Sequence, residues 1–140
     1  IPFHPERLNK AFSQEWPGVI RSKGLFWLAT RLEMAGYWSQ AGAMRQNECF
    51  GFFWKAVPRE HWPEDPSELE EIKRVSIEPN GDCRQELVLI GTDMDKEALT
   101  KMLDSALLTN EELAMSKEEW KTNFNDPFPE WNVGNNAIAS

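Results

Sequence analysis

Residues 17–42, PGVIRSKGLFWLATRLEMAGYWSQAG, decide the reading of the fold. Laid out as an extended chain, Leu25, Trp27 and Ala29 point to one side and Phe26, Leu28 and Thr30 to the other, so both sides are largely apolar. That pattern predicts a strand covered on both faces. After the polar turn at 31–33, a second run carries Tyr37, Ser39 and Ala41 on one face and Trp38 and Gln40 on the other, which predicts an antiparallel hairpin at the centre of the core. Gly24 interrupts the first strand and marks either a bulge or a close approach of backbone.

Upstream of the hairpin, Pro5 sits at a first helical position, Phe3 and Leu8 have the spacing of a hydrophobic staple, and Pro17-Gly18 is the stop signal. Downstream, FGFFWKAV at 50–57 predicts a third strand that ends at Pro58, and the polar 43–49 is a loop or an irregular extension of it. Asp65-Pro66-Ser67-Glu68 opens a helix, with Asp65 as cap and Glu68 placed to reach back to the cap amide. Its apolar side is Leu69, Ile72 and Val75. A turn at 79–82 leads into QELVLIGT, whose continuous apolar run predicts a buried central strand. Asp93 or Asp95 caps a helix with Leu99, Met102, Leu103 and Ala106 at helical spacing.

Thr109 with Glu112, and Ser116 with Glu119, each fit a capping box and predict short surface helices. The proline-rich 126–131 is suited to laying Phe128 and Trp131 onto the body, and 132–140 is expected to be a flexible tail. The order of elements indicates an α+β fold: an antiparallel or mixed sheet of about four strands with helices mainly on one face.

Fifteen basic residues against 23 acidic ones give a net charge of −8, which argues against nucleic acid and against an anionic membrane as partner. There is no membrane-spanning apolar run and no leader pattern, so a cytoplasmic location is expected. Two cysteines are too few for a disulfide framework, and both are expected to be free thiols. The start at Ile1 without an initiator Met suggests a piece of a longer protein.

Catalytic chemistry finds no foothold in the residues. Neither G-x-x-x-x-G-K-[ST] nor G-x-G-x-x-G nor a G-x-S-x-G elbow occurs, and the paired carboxylates lie in predicted surface helices. His4, Cys49, His61 and Cys83 add up to a possible metal set, and a self-sufficient metal-binding module is the alternative reading they support. No two of them have the short ligand spacing of compact zinc sites. Arg21 and Lys23 fall on the Leu25–Trp27 side, at the polar end of the first strand. The many aromatics are core by default, but a minority, with Trp38 and Trp54 among the candidates, suit an interface.

The words PFHPERL, WPGVIRSKGLFWLATR, GYWSQAG, VPREHWPEDP, GDCRQELVLIGTD, LLTNEE and DPFPEW, in this order, resemble the C-terminal domain of the CobW/YjiA-like P-loop GTPases, over nearly all of residues 2–131. The resemblance implies a metallochaperone or metal-insertion parent linked to zinc homeostasis or cobalamin synthesis. Such a parent carries GTP, Mg and Zn or Co on an N-terminal GTPase domain marked by a P-loop and a Cys-x-Cys-Cys motif. Neither motif is in this sequence. What is implied for residues 1–131 is a non-catalytic accessory domain without a cofactor, whose partners are its own GTPase domain and a client metalloprotein. Arg21, Lys23, Gly24, Trp27, Trp38 and Gln40 match the family pattern, whereas Cys83 stands where a basic or neutral residue is expected. The candidates for protein contact are Arg21, Lys23, Trp38, Gln40 and Trp54, with the two cations foremost.

Overall fold

A computed structural model describes residues 1–131. Helix α1 (Pro5–Phe12) begins as its sequence dictates: His4 caps it, its Nδ1 accepting from the Arg7 amide at 3.4 Å, and Pro5 occupies the first turn, where its missing N–H costs nothing. The helix stops at Phe12, ahead of Pro17-Gly18, and Trp16 folds back to donate its indole N–H to the Ala11 carbonyl at 3.0 Å. Leu8, Ala11 and Phe12 form its buried stripe.

The hairpin is present. Strand β1 (Val19–Trp27) pairs antiparallel with β2 (Met34–Ala41), and β2 pairs antiparallel with β3 (Met44–Phe52). The third strand therefore covers the polar 44–49 and ends before Trp54, earlier than its aromatic content predicts. The reason lies far away in sequence. The buried Asp82 carboxylate accepts from the amides of Trp54 and Lys55, each at 2.8 Å, and turns the chain into a 3-10 segment over Trp54–Ala56. A second 3-10 turn covers Arg59–His61.

Helix α2 (Pro66–Val75) has its Asp65 cap on the Ser67 amide, and the Ser67 hydroxyl also donates to the Asp65 carboxylate. Strand β4 (Glu86–Gly91) then pairs antiparallel with β1, giving the order β3-β2-β1-β4. This corrects the expected central strand: β4 is an edge. Its burial alternates, with Leu87 and Leu89 half-buried while Val88 and Ile90 are 54% and 57% exposed. Helix α3 (Lys96–Asp104) is capped by Asp95, and the short helices α4 (Asn110–Leu113) and α5 (Lys117–Asn123) both carry the full reciprocal capping box.

Helices α1 and α3 cover one face of the sheet. Leu8, Phe12 and Leu99 pack there on Phe26, Leu28 and Trp38, and Phe128 closes the cluster from the proline-rich segment. Burial of each such side chain is worth about 1.5–3 kcal/mol, so this layer dominates the core. On the opposite face the Leu25–Trp27 end is covered by Phe53, Cys83 and the region around α2. The end carrying Arg21 and Lys23 is open among the described residues. The expected tail at 132–140 lies outside the described residues.

Candidate protein-interaction face

The open end of the sheet is built by strict alternation along three strands. On β1, Arg21 and Lys23 point outward, while Ser22 between them is buried at 4% exposure. Register places Lys23 between Ser39 of β2 and Val88 of β4, and Arg21 between Ala41 and Ile90. Two parallel rows result, one cationic and one apolar, each with the ~6.6 Å repeat of alternate strand residues. A shallow depression of about 320 Å³ spans β2, β1 and β4 here, lined among others by Arg21, Lys23, Tyr37, Ser39, Val88 and Ile90.

On the far side Tyr37 stacks on Phe50, centroids 5.7 Å apart and planes 28° from parallel, and Phe50 remains 40% exposed. Met44 at the strand end is 70% exposed. Neither Arg21 nor Lys23 forms an ion pair among the described residues, in contrast to Arg7, Arg31, Arg74 and Arg84. Arg21 and Lys23 are thus cations without an ion-pair partner beside exposed aliphatic side chains; the carboxylates that register puts on the same face, Glu48 opposite Tyr37 and Glu86 opposite Leu25, lie toward its other end, and Glu86 is engaged by Arg84. The sequence signal for Val88 and Ile90 was present as β-branched residues in LVLI, but an unbroken apolar run hides which of its sides is wet.

Two of the proposed contact residues are corrected by their burial. Trp38 is 1% exposed and stacks on Phe12, with centroids 3.9 Å apart and planes within 10°. Gln40 is 4% exposed. The Trp38 indole N–H donates to Ser22 Oγ at 2.8 Å, Ser22 donates to Gln40 Oε1 at 2.8 Å, and Gln40 Nε2 donates to the Gly42 carbonyl at 2.7 Å. This relay pairs the buried polar side-chain groups of Trp38, Ser22 and Gln40 with one another and with the Gly42 carbonyl, so both residues serve the fold from within. Trp54 is half-buried, 6.0 Å from Trp62, on the 3-10 segment and away from the open face.

The four metal candidates are not brought together. His4 is 8% exposed, its Nδ1 engaged as a helix cap and its ring 4.4 Å from that of Phe124; burial, then the Arg7 charge, holds its pKa below the ordinary value. Cys49 is on β3 opposite Gly36, with burial pushing its thiol up. His61 is exposed on its 3-10 turn. Cys83 packs with Trp27 and Phe53, and burial, then the Asp82 charge, pushes its thiol up to about 12. Lying on separate elements, with the His4 imidazole spent on a helix end, the four do not form one donor set for a metal. Among the described residues no three His, Cys, Asp or Glu side chains are grouped to hold one, and no helix is long and apolar enough to cross a membrane.

Comparison with known proteins agrees with this picture of a module. The family described as "Cobalamin synthesis protein cobW C-terminal domain" matches residues 1–107. The chain is 38% identical over 125 residues to the "Zinc-regulated GTPase metalloprotein activator 1" of Dictyostelium discoideum, covering 86% of this chain and 26% of that protein. It is 27% identical over 141 residues to a zinc chaperone of Mycobacterium tuberculosis, covering 93% of this chain and 32% of that one. It thus spans about a quarter to a third of the length of these curated relatives. No solved structure matches it. With four antiparallel strands backed by α1 and α3 and a family match over most of its length, the chain belongs to the cobW C-terminal domain family.

Proposed function

We propose that this domain is the non-catalytic, protein-contacting part of a metal-handling GTPase, and that it works through the open end of its sheet. The observation that carries the reading is the row of Arg21 and Lys23 beside exposed Val88 and Ile90. Exposed apolar side chains next to unpaired cations have no role in holding this fold, and they have the make-up of a contact surface. GTP hydrolysis, with its Mg and its Zn or Co, then belongs to an N-terminal GTPase domain of the parent protein. The contact made here is with that domain or with a client metalloprotein in the cytoplasm. The relatives named for zinc-regulated activation and zinc chaperoning support the same reading.

The deciding experiment compares the parent GTPase with and without this domain, and with Arg21→Glu/Lys23→Glu in place, measuring GTP turnover and capture of the client. The double charge reversal is expected to leave the thermal midpoint unchanged while weakening association by about tenfold or more. The reading fails if the isolated chain hydrolyses GTP, or if removing the domain alters neither turnover nor client capture.

A further inference from the structure

The chemistry of the open face also selects its occupant. We infer that it receives an amphipathic α-helix of a separate partner protein, one whose apolar stripe is flanked by carboxylates spaced four residues apart. The inference rests on the protein-contact reading above and adds the shape and charge of what binds.

Backbone satisfaction decides the shape. An extended segment laid flat on a sheet face would leave its amides and carbonyls unpaired, whereas a helix satisfies its own and needs only a side-chain stripe to dock. The opposite face shows the arrangement, with α1 and α3 packed on Phe26 and Trp38. Spacing agrees: alternate residues on β1 and β4 repeat every ~6.6 Å, and helix positions i and i+4 repeat every ~6 Å. Carboxylates at i and i+4 therefore meet Arg21 and Lys23 in turn while the adjoining apolar stripe lies on Val88 and Ile90. The polar rims suit it as well, since Ser39 beside Lys23 and the Tyr37 hydroxyl offer hydrogen bonds to the same flank.

Charge decides the sign. At its open end the face presents two cations that form no ion pair with the described residues, while its carboxylates, Glu48 and Glu86, sit toward the Leu25 end and Glu86 is engaged by Arg84, so a basic or neutral helix over Arg21 and Lys23 forgoes the complementary interaction. The mixed character of the face decides between a permanent and a transient contact. A permanent interface within one protein resembles a core cut in half, whereas a shallow depression of about 320 Å³ with two cations on its middle strand is of the reversible, salt-sensitive kind.

The test uses the chain with a synthetic amphipathic helix carrying Glu at i and i+4 beside a Leu stripe, its Gln-for-Glu counterpart and its Lys-for-Glu counterpart. Methyl NMR reads Val88 and Ile90, and circular dichroism reads helix induction in the peptide. The expected result is that the Glu peptide shifts these two methyls and gains helicity, that it binds about tenfold or more tighter than the Gln peptide at low salt, and that Arg21→Glu/Lys23→Glu abolishes the difference. Equal binding of the three peptides, shifts confined to other methyls, or no binding overturns the helix. Concentration-dependent shifts of Val88 and Ile90 without peptide overturn it in favour of a second copy. The same shifts on adding the GTPase half alone assign the face to that half. In each of these cases client capture by the parent protein, measured separately, still decides the protein-contact reading.

Discussion

Arg7 and Glu112, 105 residues apart in the chain, lock the start of the fold to its acidic C-terminal helices: the guanidinium straddles the carboxylate, with Nη1 donating to Oε2 at 3.0 Å, and Nη2 also donates to the Leu107 carbonyl at 3.1 Å. The same carboxylate receives the Thr109 amide at 2.9 Å, closing the capping box of α4. One glutamate therefore serves a local helix start and a long-range tie.

This arrangement makes the domain acid-sensitive in a stated window. Hydrogen bonds from Arg7, then the Thr109 amide and the Arg7 and His4 charges, bring Glu112 down to about 2 from an ordinary 4.5, against the opposing effect of burial. A carboxylate whose folded pKa is depressed stabilises fully above its unfolded value and loses that contribution as pH falls through about 4.5 toward 2. His4, with its pKa lowered, acts earlier in the same direction: the folded state resists the proton, so stability declines as pH falls below 6.5. With solvent screening allowed for, the Glu112 contribution is about 1–2 kcal/mol. Urea denaturation at a series of pH values should show Glu112→Gln destabilised by that amount at pH 7 and converging on the parent chain near pH 2. Parallel curves for the two proteins across the whole range would contradict it.

The buried relay from Trp38 through Ser22 to Gln40 predicts a loss from removing hydrogen bonds alone. Gln40→Leu keeps much of the volume but takes away the acceptor of the buried Ser22 hydroxyl, and the cost of leaving a buried polar group unpaired is about 1–3 kcal/mol. Trp38→Ala opens a cavity under Phe12 as well, at about 3–5 kcal/mol. Both should lower the denaturation midpoint, in contrast to changes at Arg21 and Lys23. A Gln40→Leu chain as stable as the parent would return Gln40 to the list of surface contacts.

These two residues show where the sequence was readable and where it was not. Alternation correctly separated Trp38 and Gln40 from Tyr37, Ser39 and Ala41, since side-chain direction along a strand is local. Which of the two sides would be roofed depends on α1 and α3 arriving from elsewhere, and nothing in 34–41 records it. The caps at Asp65, Asp95, Thr109 and Ser116 were legible for the same local reason. The place of β4 was not, because LVLI states how apolar a strand is and not how many neighbours it has. The third strand was misplaced because its end is set by Asp82, 28 residues from Trp54. The candidate face was half legible: Arg21 and Lys23 stood out as cations at a polar strand end, but Val88 and Ile90 joined them only through the β1–β4 register.

Gly24 is a position where that register is directly exposed to mutation. A Cβ built there would lie 1.8 Å from the Glu86 carbonyl oxygen and 2.8 Å from Leu87 Cα, both backbone atoms that cannot swing aside. The close approach read from the sequence is therefore real, while the register shift of β1 falls between Val19 and Arg21. Gly24→Ala must push β4 away from β1, and overpacking of this kind costs about 1–3 kcal/mol. Amide hydrogen exchange is expected to rise at 86–91 ahead of the β2 amides, and to carry Val88 and Ile90 out of line with Arg21 and Lys23. Uniform protection of β4 in the variant would show that the strands accommodate the methyl.

Arg31 offers the most local of these tests, because one side chain makes four hydrogen bonds to the proline-rich segment, to which the Thr30 hydroxyl adds one to Asp126 at 2.6 Å. Its Nε and Nη2 donate to the two Asp126 oxygens at 2.9 and 3.1 Å, Nη2 to the Phe128 carbonyl at 2.7 Å and Nη1 to that of Pro129 at 2.8 Å. Its guanidinium also sits 4.4 Å from the centroid of the Trp131 ring. Both partners of the ion pair are largely buried, so removing the cation leaves a buried carboxylate with the Thr30 hydroxyl and the Phe128 amide but no counter-charge, and Arg31→Ala should cost about 3 kcal/mol. Arg31→Lys keeps the charge but lacks the planar fork, so it recovers only part of the loss. The segment 126–131 has no helix or strand of its own, and it should detach before the sheet unfolds, baring Phe128 and the cluster beneath it. Limited proteolysis of Arg31→Ala is therefore expected to cut within 124–131 under conditions where the sheet amides stay protected. Cleavage no faster than in the parent chain would mean that Phe128 and the Thr30–Asp126 hydrogen bond anchor the segment and that the arginine fork is incidental.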